Sequence, residues 1–106
     1  MYDLIIKNAR TLEHQTIDVA IKDGKISEIS AVIAADSQEI FNAKGQFISA
    51  GWIDAHVHCY EKMSLYYDYT DEVGVKNGVT TIVDAGSTGE NNIGEFYKLA
   101  RKSKTN

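Results

Sequence analysis

Residues 51–60 read G-W-I-D-A-H-V-H-C-Y, an apolar run that ends in two histidines one residue apart. In an extended strand successive side chains point to opposite faces, so Trp52, Asp54, His56 and His58 share one side, and Ile53, Ala55 and Val57 the other. Both imidazoles then face the same way. Each could reach one divalent metal, because a ring nitrogen must come within about 2.0–2.1 Å of a zinc ion and the two side chains start from neighbouring same-face positions. A bare His-x-His equally suits histidines that are merely hydrogen-bonded. Asp54 lies one step deeper on the same face, placed to accept a ring N–H and fix its tautomer. An aspartate inside a buried strand is costly without such a partner.

Downstream of this strand (52–57) the spacing predicts a loop and then a helix near 70–77, with Thr70 as N-cap and Asp71 and Glu72 in the first turn, where carboxylates suit the helix dipole. Asn77-Gly78 offers the stop. Val79-Thr-Thr-Ile-Val-Asp84 is β-branched and apolar, as in a strand covered on both faces of a parallel sheet. Asn92 to Glu95 has the spacing of a capping box, and Ile93, Phe96, Tyr97 and Ala100 repeat at i, i+3, i+4, i+7. Lys98, Arg101 and Lys102 fall at the carboxyl end of that helix. Residues 52–102 thus read βαβα, the start of a parallel α/β array with the His pair at the carboxyl end of its first strand, where α/β barrels assemble their sites. Two βα units cannot close such a barrel, which takes about 250 residues. The chain is therefore expected to be the amino-terminal piece of something longer.

Upstream, the chain reads as short strands and turns. Leu4, Ile5 and Ile6 open it, and T-I-D-V-A-I-K (16–22) and K-I-S-E-I-S (25–30) alternate around Asp23-Gly24, a strong hairpin signal because a type I′ turn needs positive φ at both positions. Glu39-Ile-Phe and Gln46-Phe-Ile-Ser predict two more strands around Asn42-Ala-Lys-Gly45. Up to residue 48 the expectation is an antiparallel β unit with edges left exposed.

The totals exclude several classes. With 106 residues, 43% hydrophobic and 25% charged, the composition is that of a globular domain. A net charge of −4 offers no basic footprint for nucleic acid. No 18-residue uncharged apolar stretch or signal-peptide pattern appears, so neither membrane nor export is expected. The single cysteine, Cys59, cannot form an internal disulfide and fits a reducing compartment, with the cytoplasm as the default.

The β unit followed by S-A-G-W-I-D-A-H-V-H and then N-G-V-T-T-I-V-D resembles the opening of the amidohydrolase superfamily of metal-dependent hydrolases, in particular its dihydroorotase-like, adenine-deaminase-like and deacetylase branch. The resemblance covers nearly the whole chain but about the first third of a family member. It implies a fold in which residues 1–50 are β-sandwich-like strands and 51–106 the first two βα units of a (β/α)8 TIM barrel. It makes His56 and His58 metal ligands, both on the more buried ion where two are bound. The other family ligands, a bridging and usually carboxylated lysine, two more histidines and an aspartate that acts as general base, would lie beyond residue 106. No catalytic residue proper is expected in this segment, and the segment alone is expected to be inactive. Ala50 stands where many members have a proline that stiffens the strand start without holding metal. Asp84 matches an acidic position of part of the family, with a supporting or structural role rather than a ligand's.

The implied chemistry is hydrolysis of a C–N bond in an amide, cyclic amide or aminopurine by metal-activated water. Zinc is the default from histidine ligation, as one or two ions, with manganese, iron or nickel as alternatives. The implied partners are a small-molecule substrate and the remainder of the chain's own barrel, with a homo-oligomeric parent. The alternative is a small non-catalytic α/β binding or assembly module that kept His56 and His58 as relics. His14 reads as a solvated turn residue, and Cys59 as a buried thiol pointing away from the ligand pair. Tyr60, Glu61, Lys62, Tyr66, Tyr67 and Asp68 fall in the loop after the first strand, as substrate contacts or as an ordinary surface loop. Gly86-Ser-Thr-Gly89 lacks the spacing and lysine of a phosphate loop and reads as a flexible βα turn.

Overall fold

The computed structural model describes residues 1–106, which divide into two compact units, Met1–Ala50 and Gly51–Asn106. No helix is long and apolar enough to cross a membrane.

The first unit is a four-stranded sheet built from β1 (Tyr2–Arg10), β2 (Thr16–Lys22), β3 (Lys25–Ser30) and β4 (Ser37–Asn42), in the order β3-β2-β1-β4. The β2–β3 hairpin turns as its sequence requires, with Asp23 at φ 51° and Gly24 at φ 71°. The sheet is mixed, however, and not antiparallel: β4 runs parallel to β1, Leu4 opposite Glu39 and Ile6 opposite Phe41. Residues 31–36 must therefore carry the chain from one edge of the sheet to the other, and Ile33 plugs this crossover into the core formed with Ile5 and Ala20. A second correction concerns 46–49. Phe47 makes one isolated bridge to Arg10 rather than a strand, flanked by the bonds Arg10 N–H to Gln46 O and Ile48 N–H to Arg10 O, both 2.9 Å. The Arg10 guanidinium carbon lies 4.3 Å from the centre of the Phe47 ring.

A buried polar network ties the crossover down. The Asp18 carboxylate, 3% exposed, accepts the Asn8 N–H at 2.9 Å, the Ile33 N–H at 2.9 Å and the Lys7 ammonium at 2.7 Å, while Lys7 also donates to Ile33 O at 2.6 Å. Burial pushes the Asp18 carboxyl up, but the bonds from Lys7, Ile33 and Asn8 together outweigh it and hold it below the ordinary range.

The second unit pairs β5 (Trp52–Val57) with β6 (Val79–Asp84) in parallel, as the βαβ pattern requires. Burial departs from expectation. Along β5 only Val57 is buried, with Trp52 65% and Ile53 70% exposed, and β6 is at most half-buried. A two-stranded sheet has too few neighbours to cover its own faces.

The helix expected near 70–77 is interrupted: α1 spans Thr70–Val73, Gly74 leaves helical geometry at ψ −117°, and a 3-10 turn follows over Val75–Asn77, ended by Gly78 at φ 77°. The N-cap is Tyr69 instead of Thr70 and offers no side-chain bond. Asp71 is drawn away to the carboxyl-terminal segment, accepting from the Lys104 N–H (2.9 Å), the Thr105 N–H (3.0 Å) and the Thr105 hydroxyl (2.9 Å). These tertiary bonds compete with the regular helix for the same residues.

Helix α2 covers Ile93–Ala100 with Asn92 as its N-cap position, but the capping box does not form. Asn92 Oδ1 accepts the Gly89 N–H at 2.8 Å, and Glu95 reaches instead to the Tyr60 hydroxyl (2.6 Å) and to Lys62.

Candidate metal centre

His56 lies in the last turnings of β5 and His58 just past its end, so the strand's pleat carries both rings to the same place. Their ring centroids are 5.4 Å apart with planes at 73°. Two imidazoles sharing one tetrahedral ion at about 2.0–2.1 Å per nitrogen have centroids roughly 5 Å apart, so this pair fits a common metal. His56 is exposed and His58 half-buried. No group of three or more His, Cys, Asp or Glu side chains converges anywhere in the chain, so the two histidines stand without a third protein ligand.

Asp54 does not receive a ring N–H. Its Oδ1 accepts the backbone N–H of His56 at 3.0 Å, a local bond to an exposed side chain of the kind that short carboxylates make two residues along the backbone. The ring bond is made by a residue that the sequence left in a flexible turn: His58 Nδ1 lies 2.9 Å from Ser87 Oγ. The separation of 29 residues left no local pattern to read; only the parallel pairing of β5 with β6 brings the two loops together.

Asp84, the last residue of β6, organises both loops. Its Oδ2 accepts the Cys59 N–H at 2.8 Å, and its Oδ1 accepts the Ser87 N–H at 2.7 Å and the Gly86 N–H at 3.1 Å. Burial pushes the Asp84 carboxyl up, yet the hydrogen bonds from Cys59, Ser87 and Gly86 prevail and the group titrates below the usual range. Asp84 therefore serves as an anionic clasp between the residue after His58 and the turn that holds Ser87.

Tyr66 sets its ring edge-on to His58, centroids 5.3 Å apart, which brings one residue of the Tyr60–Asp68 loop against the pair. Tyr60 turns inward instead, packing on Phe96 and bonding Glu95. Cys59 is buried; burial first, then repulsion from Asp84, Asp68 and Asp54, pushes its thiol up to about 11, so it is protonated near neutrality. His14 occupies an exposed turn at φ 64°, its ring against Phe47. A cavity of about 410 Å³ in this unit is lined by Cys59, Ile82, Asp84, Phe96, Arg101 and Thr105, and by neither histidine.

The proteins this chain is similar to, a deacetylase, an adenine deaminase and a dihydroorotase among them, are amidohydrolase-superfamily proteins matched through a limited part of their length. The chain is 55% identical over 106 residues to a deacetylase of Enterococcus faecalis, across 99% of this chain and 29% of that protein. The crystal structure of an adenine deaminase superimposes with a TM-score of 0.91 at 53% identity, over 100% of this chain and 29% of that one. That of a dihydroorotase gives 0.88 at 29% identity, over 99% and 30%. No protein-family model matches the chain. The chain thus spans less than a third of the length of these relatives.

Proposed function

We propose that the chain forms the amino-terminal part of a metal-dependent amidohydrolase that cleaves a C–N bond in a small amide, cyclic amide or aminopurine, with His56 and His58 as two ligands of a zinc ion. The observation that carries the reading is the convergence of the two imidazoles, 5.4 Å apart, at the carboxyl end of a parallel strand. In this reading residues 51–106 supply the first two βα units of a (β/α)8 barrel, whose sites gather at that end of the strands. When bound, the ion would supply an acidified water and, for a carbonyl substrate, Lewis-acid polarisation of its oxygen. The chain's own part is to hold the two imidazoles side by side at the end of the strand, and to place the Tyr66 ring beside His58. Two histidines are short of the three or four protein ligands of a zinc site, so the remaining ligands and the general base belong to sequence beyond Asn106. The deacetylase, adenine deaminase and dihydroorotase named among the relatives support C–N hydrolysis as the reaction class.

Elemental analysis of the full-length polypeptide, wild type against His56→Ala/His58→Ala, tests this. One or two equivalents of zinc-like metal that fall in the variant together with C–N hydrolase activity are expected. Metal content that is nil or unchanged overturns the reading and leaves the histidines as structural residues of a non-catalytic module.

A further inference from the structure

We infer that Ser87 is a positioning residue: its hydroxyl oxygen accepts the Nδ1–H of His58 and so fixes the tautomer that leaves Nε2 free to bind a divalent metal. The inference rests on the reading of His58 as a ligand.

Two geometric observations carry it. The Ser87 oxygen lies 2.9 Å from His58 Nδ1, within hydrogen-bond distance, so Nδ1 is taken up by the serine and Nε2 is the ring nitrogen left for a metal. A lone pair on Nε2 puts the ring proton on Nδ1, where the serine oxygen accepts it. The Ser87 N–H donates to Asp84 Oδ1 at 2.7 Å, which pins the serine beside the ring. Metal-ligating histidines are held in this way by a partner on the other ring nitrogen.

The backbone makes the arrangement stiff. Asp84 Oδ1 also takes the Gly86 N–H, and Oδ2 takes the N–H of Cys59, next to His58, so one carboxylate fixes both the ring's own backbone and the turn that carries Ser87. Asp54, the residue whose position in the strand suggested this role, is occupied with the His56 backbone.

Long-range 1H–15N spectra of the 106-residue chain, recorded above the titration range of histidine, read the tautomer directly and without metal. The expected result is a His58 dominated by Nδ1–H in wild type, a shift towards the Nε2–H form that an unconstrained histidine favours in Ser87→Ala, and recovery in Ser87→Thr. Zinc titrated into the same samples and followed through the His56 and His58 signals should bind Ser87→Ala about tenfold more weakly. A wild-type His58 in the Nε2–H form, or a tautomer and zinc affinity indifferent to Ser87→Ala, overturns the inference. Should Ser87→Ala fail to fold, the wild-type tautomer decides the matter by itself. If Ser87 governs the tautomer while the full-length His56→Ala/His58→Ala protein keeps its metal and activity, the tautomer assignment stands, but the ligand reading of His58 falls and takes the positioning role with it.

Discussion

The two units use the same kind of sequence, short β-branched strands and tight turns, and differ in the burial of their central strands, while the outer strands β3 and β4 of the first stay as exposed as β5. In Met1–Ala50 four strands enclose Ile5, Ala9, Val19 and Ala20 almost completely. In Gly51–Asn106 the equally apolar Trp52 and Ile53 stand largely in solvent. The difference is one of neighbours. An antiparallel or mixed sheet can bury one face with a single crossover, whereas a parallel pair needs cover on both faces to become a core. The first unit therefore holds itself together through hydrophobic burial and the Asp18 network, and the second relies on hydrogen-bonded clasps, Asp84 at one end of β6 and Asp71 at the carboxyl-terminal segment.

Amide hydrogen exchange reads the two units separately, and four substitutions test the contrast. Asp18→Ala should have the largest effect, lowering the stability of the first unit by roughly 3 kcal/mol, because it leaves the Lys7 ammonium and the Ile33 N–H without their buried partner. Protection at Ile5 and Ala20 then drops towards that of β5, erasing the contrast; unchanged protection would mean the core alone holds the crossover. The same residue sets an acid limit. Its folded pKa lies below the unfolded value of about 3.9, so its contribution is whole above that value and is lost as the pH falls through the lowered folded pKa. The acid slope of the first unit's unfolding should flatten in Asp18→Ala.

Gly51→Ala should act on the second unit alone and widen the contrast. An added Cβ would lie 2.2 Å from Thr80 Cγ2 and Oγ1 and 2.7 Å from Thr80 Cβ, an overlap that must move β5 against β6. Overpacking of this kind costs about 1–3 kcal/mol. Adding Thr80→Ala removes the two nearest atoms and should restore part of the loss in urea melts; strict additivity of the two changes would refute the steric account. The smallest effect is expected of Lys62→Ala. Its ion pair with Glu95 joins two half-exposed side chains, and solvent screening should leave the urea midpoint unmoved.

Much of this was legible in advance, for identifiable reasons. The Asp23-Gly24 hairpin and the 79–84 strand came through because turn chemistry and β-branched runs are local properties. The capping box at Asn92 and Glu95 misled, because Glu95 found a hydroxyl and an ammonium 35 and 33 residues away. Thr70 and Asp71 misled in the same fashion, since Thr105 and Lys104 claimed the carboxylate expected to support the helix. At the candidate site the His56–His58 pair was readable from strand alternation. Ser87 is not readable there, and Asp54, which alternation places for a ring bond, takes the His56 backbone N–H instead.

The strands other than the one expected at 46–49, the hairpin turn, the parallel βα grammar after residue 51 and the pairing of two imidazoles are readable from the sequence, since each follows from periodicities of a few residues. The tertiary structure alone decided that β4 joins β1 in parallel, that Asp18 anchors the crossover, and that Ser87 reaches the second histidine while Asp84 holds the Cys59 N–H beside it. Those choices rest on contacts between residues 10 or more positions apart, where a polar group takes whichever partner the folded backbone brings within about 3 Å.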